Sequence, residues 1–163
     1  MQLKYPSVSK NIFYDATRDN LAQKYLDALR KHHEDTYRHS CRVALLSIDI
    51  GLENTIVGQG LKYLALGALL HDIGKLQTPT AILDKGGKLD ECERLIIKNH
   101  PRDGFDELQN VSHTIRYIVV SHHEWKNDSY PRKAHRVPLG KEEILAEIVA
   151  AAESDPDAPL LTE

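Results

Sequence analysis

Leu61-Lys62-Tyr63-Leu64-Ala65-Leu66-Gly67-Ala68-Leu69-Leu70 runs straight into His71-Asp72-Ile73-Gly74-Lys75. The first part is apolar on nearly every side, which reads as a buried helix rather than a surface helix with one apolar stripe. The second part puts an imidazole and a carboxylate at the end of that helix. Left unpaired in an apolar setting they would cost roughly a few kcal/mol or more, and a divalent metal is the usual compensation. Gly74 can turn the chain out of the helix. Lys75 then stands beside the proposed metal, where an anionic substrate would be favoured.

Outward from this stretch the apolar residues recur at helical spacing. Leu21, Tyr25, Ala28 and Leu29 predict a helix from Asp19 to His32-His33. A second opens at Asp35, read as its cap, and runs through Val43, Ala44, Leu46, Ile48 and Ile50 to about Gly51. The third starts near Gly58 and Gly60 and ends in His71-Asp72. Gln77 to Lys88 reads as a loop punctuated by Pro79 and Gly86-Gly87. Asp90 and Glu93 have capping-box spacing and start a fourth helix, with Leu95, Ile96 and Ile97 as its buried side and His100-Pro101 at its end. Arg102–Leu108 is a short helix and Val111–Glu124 another, with Ile115, Ile118, Val119 and Val120 inward. Trp125–Gly140 is a loop, and Lys141–Glu153 is the last helix, with Ile144, Leu145, Ile148 and Val149 inward. The tail from Asp155 to Pro159 reads as frayed, and residues 1–17 as an irregular N-terminal arm. No strand alternation and no internal repeat interrupts the pattern. The expected fold is all-α, a single helical bundle of six to seven helices over residues 18–163.

Composition narrows the function. The chain has 163 residues, of which 28% are charged and 41% hydrophobic, the balance of an ordinary globule. No stretch approaches the roughly 18 apolar residues that cross a bilayer, and the first residues carry no signal-peptide pattern. A cytoplasmic location away from membranes is expected. Cys41 and Cys92 are far apart and read as reduced thiols. A net charge of −3 argues against a DNA partner. The anomaly is nine histidines.

Five of them, with one carboxylate, fall at the start or end of predicted helices: His39, His71-Asp72, His100 and His122-His123. Helix ends of one bundle can converge on one pocket. Imidazole with carboxylate and without thiolate suits iron, manganese, nickel or zinc. Six donor groups exceed one tetrahedral site, so two metals fit better than one, and a metal pair suits in-line attack on phosphorus. His32, His33, His113 and His135 belong to the structural background, His32 and His33 as residues that close the first helix.

The order His39, His71-Asp72-Ile73-Gly74-Lys75, His100-Pro101-x-x-Gly104, His122-His123-Glu124 resembles the HD superfamily of metal-dependent phosphohydrolases. The resemblance runs from about Asp35 to Glu153 and is nearest to the HD-GYP branch, bacterial cyclic di-GMP phosphodiesterases. Ile82-Leu83-x-Lys85-x-Gly87-x-Leu89-x-x-x-Glu93 follows that branch as well. The resemblance implies that His39, His71, Asp72, His100, His122 and His123 ligate two divalent ions, iron or manganese ahead of nickel or zinc. Asp72 would bridge them and Lys75 would hold a substrate phosphate. Asp35 occupies the place of a carboxylate that brings a third ion in some members, and a plain helix cap is the competing role. Glu153 stands where the family has a final aspartate ligand, with Asp155 as fallback. Glu124 could orient a histidine. Arg102, Arg132 and Lys133 could meet further phosphates, with a solvated surface role as the competitor.

The branch takes its name from a loop reading Asp-Gly-x-Gly-Tyr-Pro. Here Trp125-Lys126-Asn127-Asp128-Ser129-Tyr130-Pro131 keeps Tyr130 and Pro131 but neither glycine. Glycines allow close backbone approach, so the change bears on cyclic di-GMP recognition and leaves the ligands alone. Tyr130 and Arg102 join Lys75 as candidate substrate contacts. The expected function is a metal-dependent cyclic di-GMP phosphodiesterase, with an upstream signalling domain or a second copy of the chain as the expected partner. Two alternatives stay open: hydrolysis of another nucleotide or phosphoester, and a ligand- or partner-binding domain without turnover.

Overall fold

The computed structural model describes residues 3–124, 130–131 and 140–155. Among them the chain forms nine α-helices and one 3₁₀ turn, with no strand. The helices are α1 (Pro6–Thr17), α2 (Asn20–His32), α3 (Glu34–Glu53), α4 (Gly58–Leu70), α5 (Thr80–Leu83), α6 (Glu91–Lys98), α7 (His100–Glu107), α8 (His113–Ser121) and α9 (Lys141–Glu153); the 3₁₀ turn is Ile73–Gln77. The seven expected helices are present, and α1 and the one-turn α5 are additional. Arg132, Lys133, His135, most of the Trp125–Gly140 loop and the Pro156–Pro159 tail lie outside the described residues.

The buried helix α4 is the axis of the bundle, packed on α3, α8 and α9. Leu64, Ala65, Ala68, Leu69 and Leu70 are fully or almost fully buried, against Leu45, Leu46 and Ile48 of α3, Ile118 of α8 and Val149 of α9 in one core. Each such leucine or isoleucine contributes roughly 1.5–3 kcal/mol by leaving water. α8 comes close because Gly67 has no side chain: a Cβ there would lie 2.7 Å from the Ile118 side chain.

Residues 6–17, expected as an irregular arm, are helical and pack on α3 and α4 through Ser9, Phe13 and Ala16. Pro6 sits in the first turn, where its missing N–H costs nothing. The chain entering α1 is held from far away: buried Asp49 accepts from Lys4 N–H (2.7 Å), Tyr5 N–H (2.9 Å) and Ser9 Oγ–H (2.7 Å). Asp35 is not the cap of α3; His33 is, and Asp35 is an exposed residue of the first turn. The capping box of Asp90 and Glu93 is formed. The face it introduces is not buried, however. Leu95 and Ile96 are 64% and 42% exposed, and α6 contributes no fully buried residue. Helical periodicity assigns a face to an apolar residue but cannot supply a neighbour to cover it. Nor does His100 end α6; it opens α7, with Pro101 in the first turn.

Gly74 also has a different role from a helix exit. A Cβ at this position would lie 1.9 Å from the carbonyl oxygen of His100 and 2.6 Å from the Gly104 nitrogen. The 3₁₀ turn and α7 therefore meet backbone to backbone, and this contact sets His100 beside Asp72.

Candidate metal centre

His71 and His122 are the C-caps of α4 and α8, and His100 follows α6 by one residue. The last carbonyls of a helix lack intrahelical donors. Each ring satisfies one. His71 Nδ1–H donates to Ala68 O (2.8 Å), His100 Nδ1–H to Ile97 O (2.7 Å) and His122 Nδ1–H to Val119 O (2.7 Å). A carbonyl only accepts, so the proton of each ring is on Nδ1. All three rings then turn a lone-pair-bearing Nε2 to the same interior.

Asp72 lies at the middle of this interior and is fully buried. Its Oδ1 is 3.3 Å from His100 Nε2. Its Oδ2 faces the other side, 3.5 Å from His71 Nε2 and 3.8 Å from His39 Nε2. Lys75 Nζ–H donates to Oδ2 at 2.7 Å. His39, on the second turn of α3, is the more exposed member of the set at 28%. His123 Nε2 is 3.5 Å from Glu153 Oε1 at the end of α9.

The ionisation states follow from burial. Desolvation lowers His39 and His100 to about 4, His39 further through the neighbouring His71 and His100 further through Lys75. Burial, then His123 and His71, push His122 well below the ordinary imidazole value. Burial alone would raise the Asp72 carboxyl, but Lys75 and then the facing imidazoles outweigh it and hold the group well below the usual carboxylate range. Near neutral pH His39, His100 and His122 thus stand uncharged beside an ionised Asp72, the protonation states in which these groups bind metal.

Without a cation the arrangement is unsatisfied. His100 Nε2 and His122 Nε2 approach to 3.2 Å with no proton to share. His71 Nε2 and Asp72 Oδ1 are buried with no hydrogen-bond partner. Donor atoms within 4.8 Å of one another form three overlapping groups among the described residues: His100/His122/His123, His71/Asp72/His122 and His39/His71/Glu153. These residues fit divalent ions, with no thiolate in the set.

The five histidines and Asp72 singled out from the sequence are thus brought together, and Glu153 with them. Asp35 is exposed and outside these groups; Asp155, half-buried, is outside them as well. Tyr130 stacks on His123, with ring centroids 4.4 Å apart and planes at 24°. Arg102 Nη2–H donates to the carbonyl of Pro131 at 3.2 Å, so its guanidinium steadies that pair. No sequence signal announced the stacking contact, which pairs residues from two separate segments. Of the background histidines, His113 meets Glu142 at the surface, whereas His32 and His33 hold a segment near the centre.

Comparison with known proteins agrees with this geometry. A cyclic di-GMP phosphodiesterase of Thermotoga maritima is 34% identical over 142 residues, 83% of this chain and 36% of that protein. The 3'3'-cGAMP-specific phosphodiesterase 1 of Vibrio cholerae is 41% identical over 100 residues, 60% of this chain and 23% of its own length. A cyclic di-GMP phosphodiesterase of Pseudomonas aeruginosa is 34% identical over 99 residues, 59% of this chain and 24% of its own. The chain spans about a quarter to a third of the length of these relatives. The HD domain profile matches residues 36–155, a span that takes in all the gathered donors from His39 to Glu153. On that match the chain belongs to the HD domain family.

Proposed function

We propose that this chain is a metal-dependent phosphodiesterase domain acting on a cyclic dinucleotide, with cyclic di-GMP first among the candidates. The observation that carries the reading is the gathering of five imidazoles, four of them buried, around the fully buried Asp72, with the ammonium of Lys75 at its edge. The relatives' names support the substrate class.

Two ions account best for the two-sided use of Asp72. His100, His122 and His123 would hold one ion and His39, His71 and Glu153 the other, with Asp72 between the two sets. Iron or manganese leads for this donor set, with nickel or zinc as alternatives. Divalent ions held there supply Lewis-acid polarisation and water activation. The chain's own residues do the rest. The backbone carbonyls of Ala68, Ile97 and Val119 hold His71, His100 and His122 in the Nδ1–H form, which keeps these three Nε2 atoms available. Lys75 offers a positive charge to a phosphoryl oxygen as negative charge develops there. Asp72 stays ionised throughout. Tyr130 and Arg102 would border the bound nucleotide from the outer side.

The test is turnover of cyclic di-GMP and 3'3'-cGAMP by protein loaded anaerobically with Fe(II) or Mn(II), with the products separated by chromatography. Asp72→Ala is expected to lower turnover at least about a hundredfold, the scale of losing a preorganised electrostatic group, and to lower metal occupancy. Metal-loaded protein inactive on both substrates would move the reading to another phosphoester. Activity unchanged in Asp72→Ala would remove the site assignment.

A further inference from the structure

Helix N-caps are dominated by Asn, Asp, Ser and Thr, whose short side chains reach the first-turn N–H groups. α3 begins instead on an imidazole. Thr36 N–H donates to His33 Nδ1 at 3.2 Å, and Thr36 Oγ1 lies 2.7 Å from the same nitrogen. A backbone N–H can only donate, so His33 Nδ1 carries a lone pair and the ring proton is on Nε2. That Nε2–H points at Asp84 Oδ1, 3.0 Å away. The adjacent His32 donates from Nε2 to Thr78 O at 2.9 Å. Both histidines therefore grip the chain just after Lys75, at the two ends of the stretch from Thr78 to Asp84. α5 lies within that stretch and buries none of its four residues. An aspartate or asparagine at position 33 would cap α3 as well or better, but it is too short to serve Thr36 and Asp84 together.

We propose that His33, as its Nε2–H tautomer, is a positioning residue for the metal centre. It ties the start of α3, which carries His39, to the segment leaving Lys75. It thereby fixes the spacing between a ligand imidazole and the phosphate-binding ammonium. The roles of His39 and Lys75 in this inference rest on the phosphodiesterase reading.

The test uses the whole chain with three variants: His33→Asn, Asp84→Ala and Asp84→Asn. Two-bond ¹H–¹⁵N correlation spectra are expected to show wild-type His33 as the Nε2–H tautomer. His33→Asn keeps a cap and should melt near wild type, yet it should share the functional loss of Asp84→Ala. Both are expected to weaken Mn(II) binding about tenfold, the low end for losing a group that orients a metal ligand. Both should also raise KM for cyclic di-GMP more than they lower kcat. Asp84→Asn keeps an oxygen acceptor and should behave as wild type. An Nδ1–H tautomer at His33 would overturn the proposal. So would wild-type Mn(II) affinity in both His33→Asn and Asp84→Ala. If the wild-type chain turns over no cyclic dinucleotide, the phosphodiesterase reading fails on its own, and the tautomer and Mn(II) affinity still decide the role of His33.

Discussion

An imidazole that donates Nδ1–H to a carbonyl has no second proton to offer unless it is charged. His71, His100 and His122 are each in that position, and burial keeps His100 and His122 uncharged. The same depression gives the metal-free protein an acid-sensitive stability. Folded His39 and His100 protonate only near pH 4, whereas unfolded histidines do so near about 6.5. Between those values the unfolded chain binds more protons, so stability falls as pH drops. The contribution is fully present above about pH 6.5 and lost by about pH 4. Asp72, lowered as a carboxylate, adds a loss only at more acid pH. Urea melts in chelator across this range should show the decline; a flat profile from pH 7 to 4 would contradict neutral, buried rings. The sequence alone showed that these histidines were too many and too ordered for background. It did not show which nitrogen each would present, because that depends on the carbonyl each ring meets.

Two glycines show how elements reach the spacing that the centre requires. Gly67 faces a side chain, Ile118, while Gly74 faces the backbone of His100 and Gly104. A side chain can shift and a backbone held in two elements cannot. Gly67→Ala should cost about 1–3 kcal/mol as overpacking, and trimming the obstacle with Ile118→Val should recover part of that cost. Chemical denaturation of the single and double variants measures the coupling, and strict additivity would argue against the contact. Gly74→Ala should cost more, and the loss should be accompanied by weaker metal binding, because His100 must move. Wild-type metal affinity in a folded Gly74→Ala would show that the turn does not place His100. Among the helices, α2 to α4 and α9 were legible from apolar period. α1 was not, since the residue that holds the chain leading into it, Asp49, is more than forty residues away in sequence. α6 was legible as a helix, but its exposed Leu95 and Ile96 were not.

At the scale of the molecule, metal and fold are linked. The centre joins the ends of α4, α8 and α9 to α3, the 3₁₀ turn and α7. Ions bound to the folded chain and not to the unfolded one must therefore stabilise the whole bundle. At a hundredfold excess over Kd the gain is about 2.7 kcal/mol, which for a chain of this size raises Tm by about 5–10 °C. Adding Mn(II) to chelator-treated protein should produce that shift, and Asp72→Ala should abolish it. An equal shift in the variant would place the ions elsewhere. Among the described residues no helix is long and apolar enough to cross a membrane.

The sequence by itself determined the all-α class, because apolar residues at helical spacing have a period that no strand shares. It also singled out His39, His71-Asp72, His100 and His122-His123 as candidate donors, because their order along the chain resembles that of the HD superfamily. Only the tertiary structure decided that Asp72 turns one oxygen to each half of the set, that Glu153 lies within reach while Asp35 does not, and that His33 takes the place of Asp35 as the cap of α3. The first two of these outcomes depend on distances between segments far apart in the chain. Such distances are set by what packs between the helices, here by the missing side chains of Gly67, Gly74 and Gly104, rather than by the spacing of residues along them.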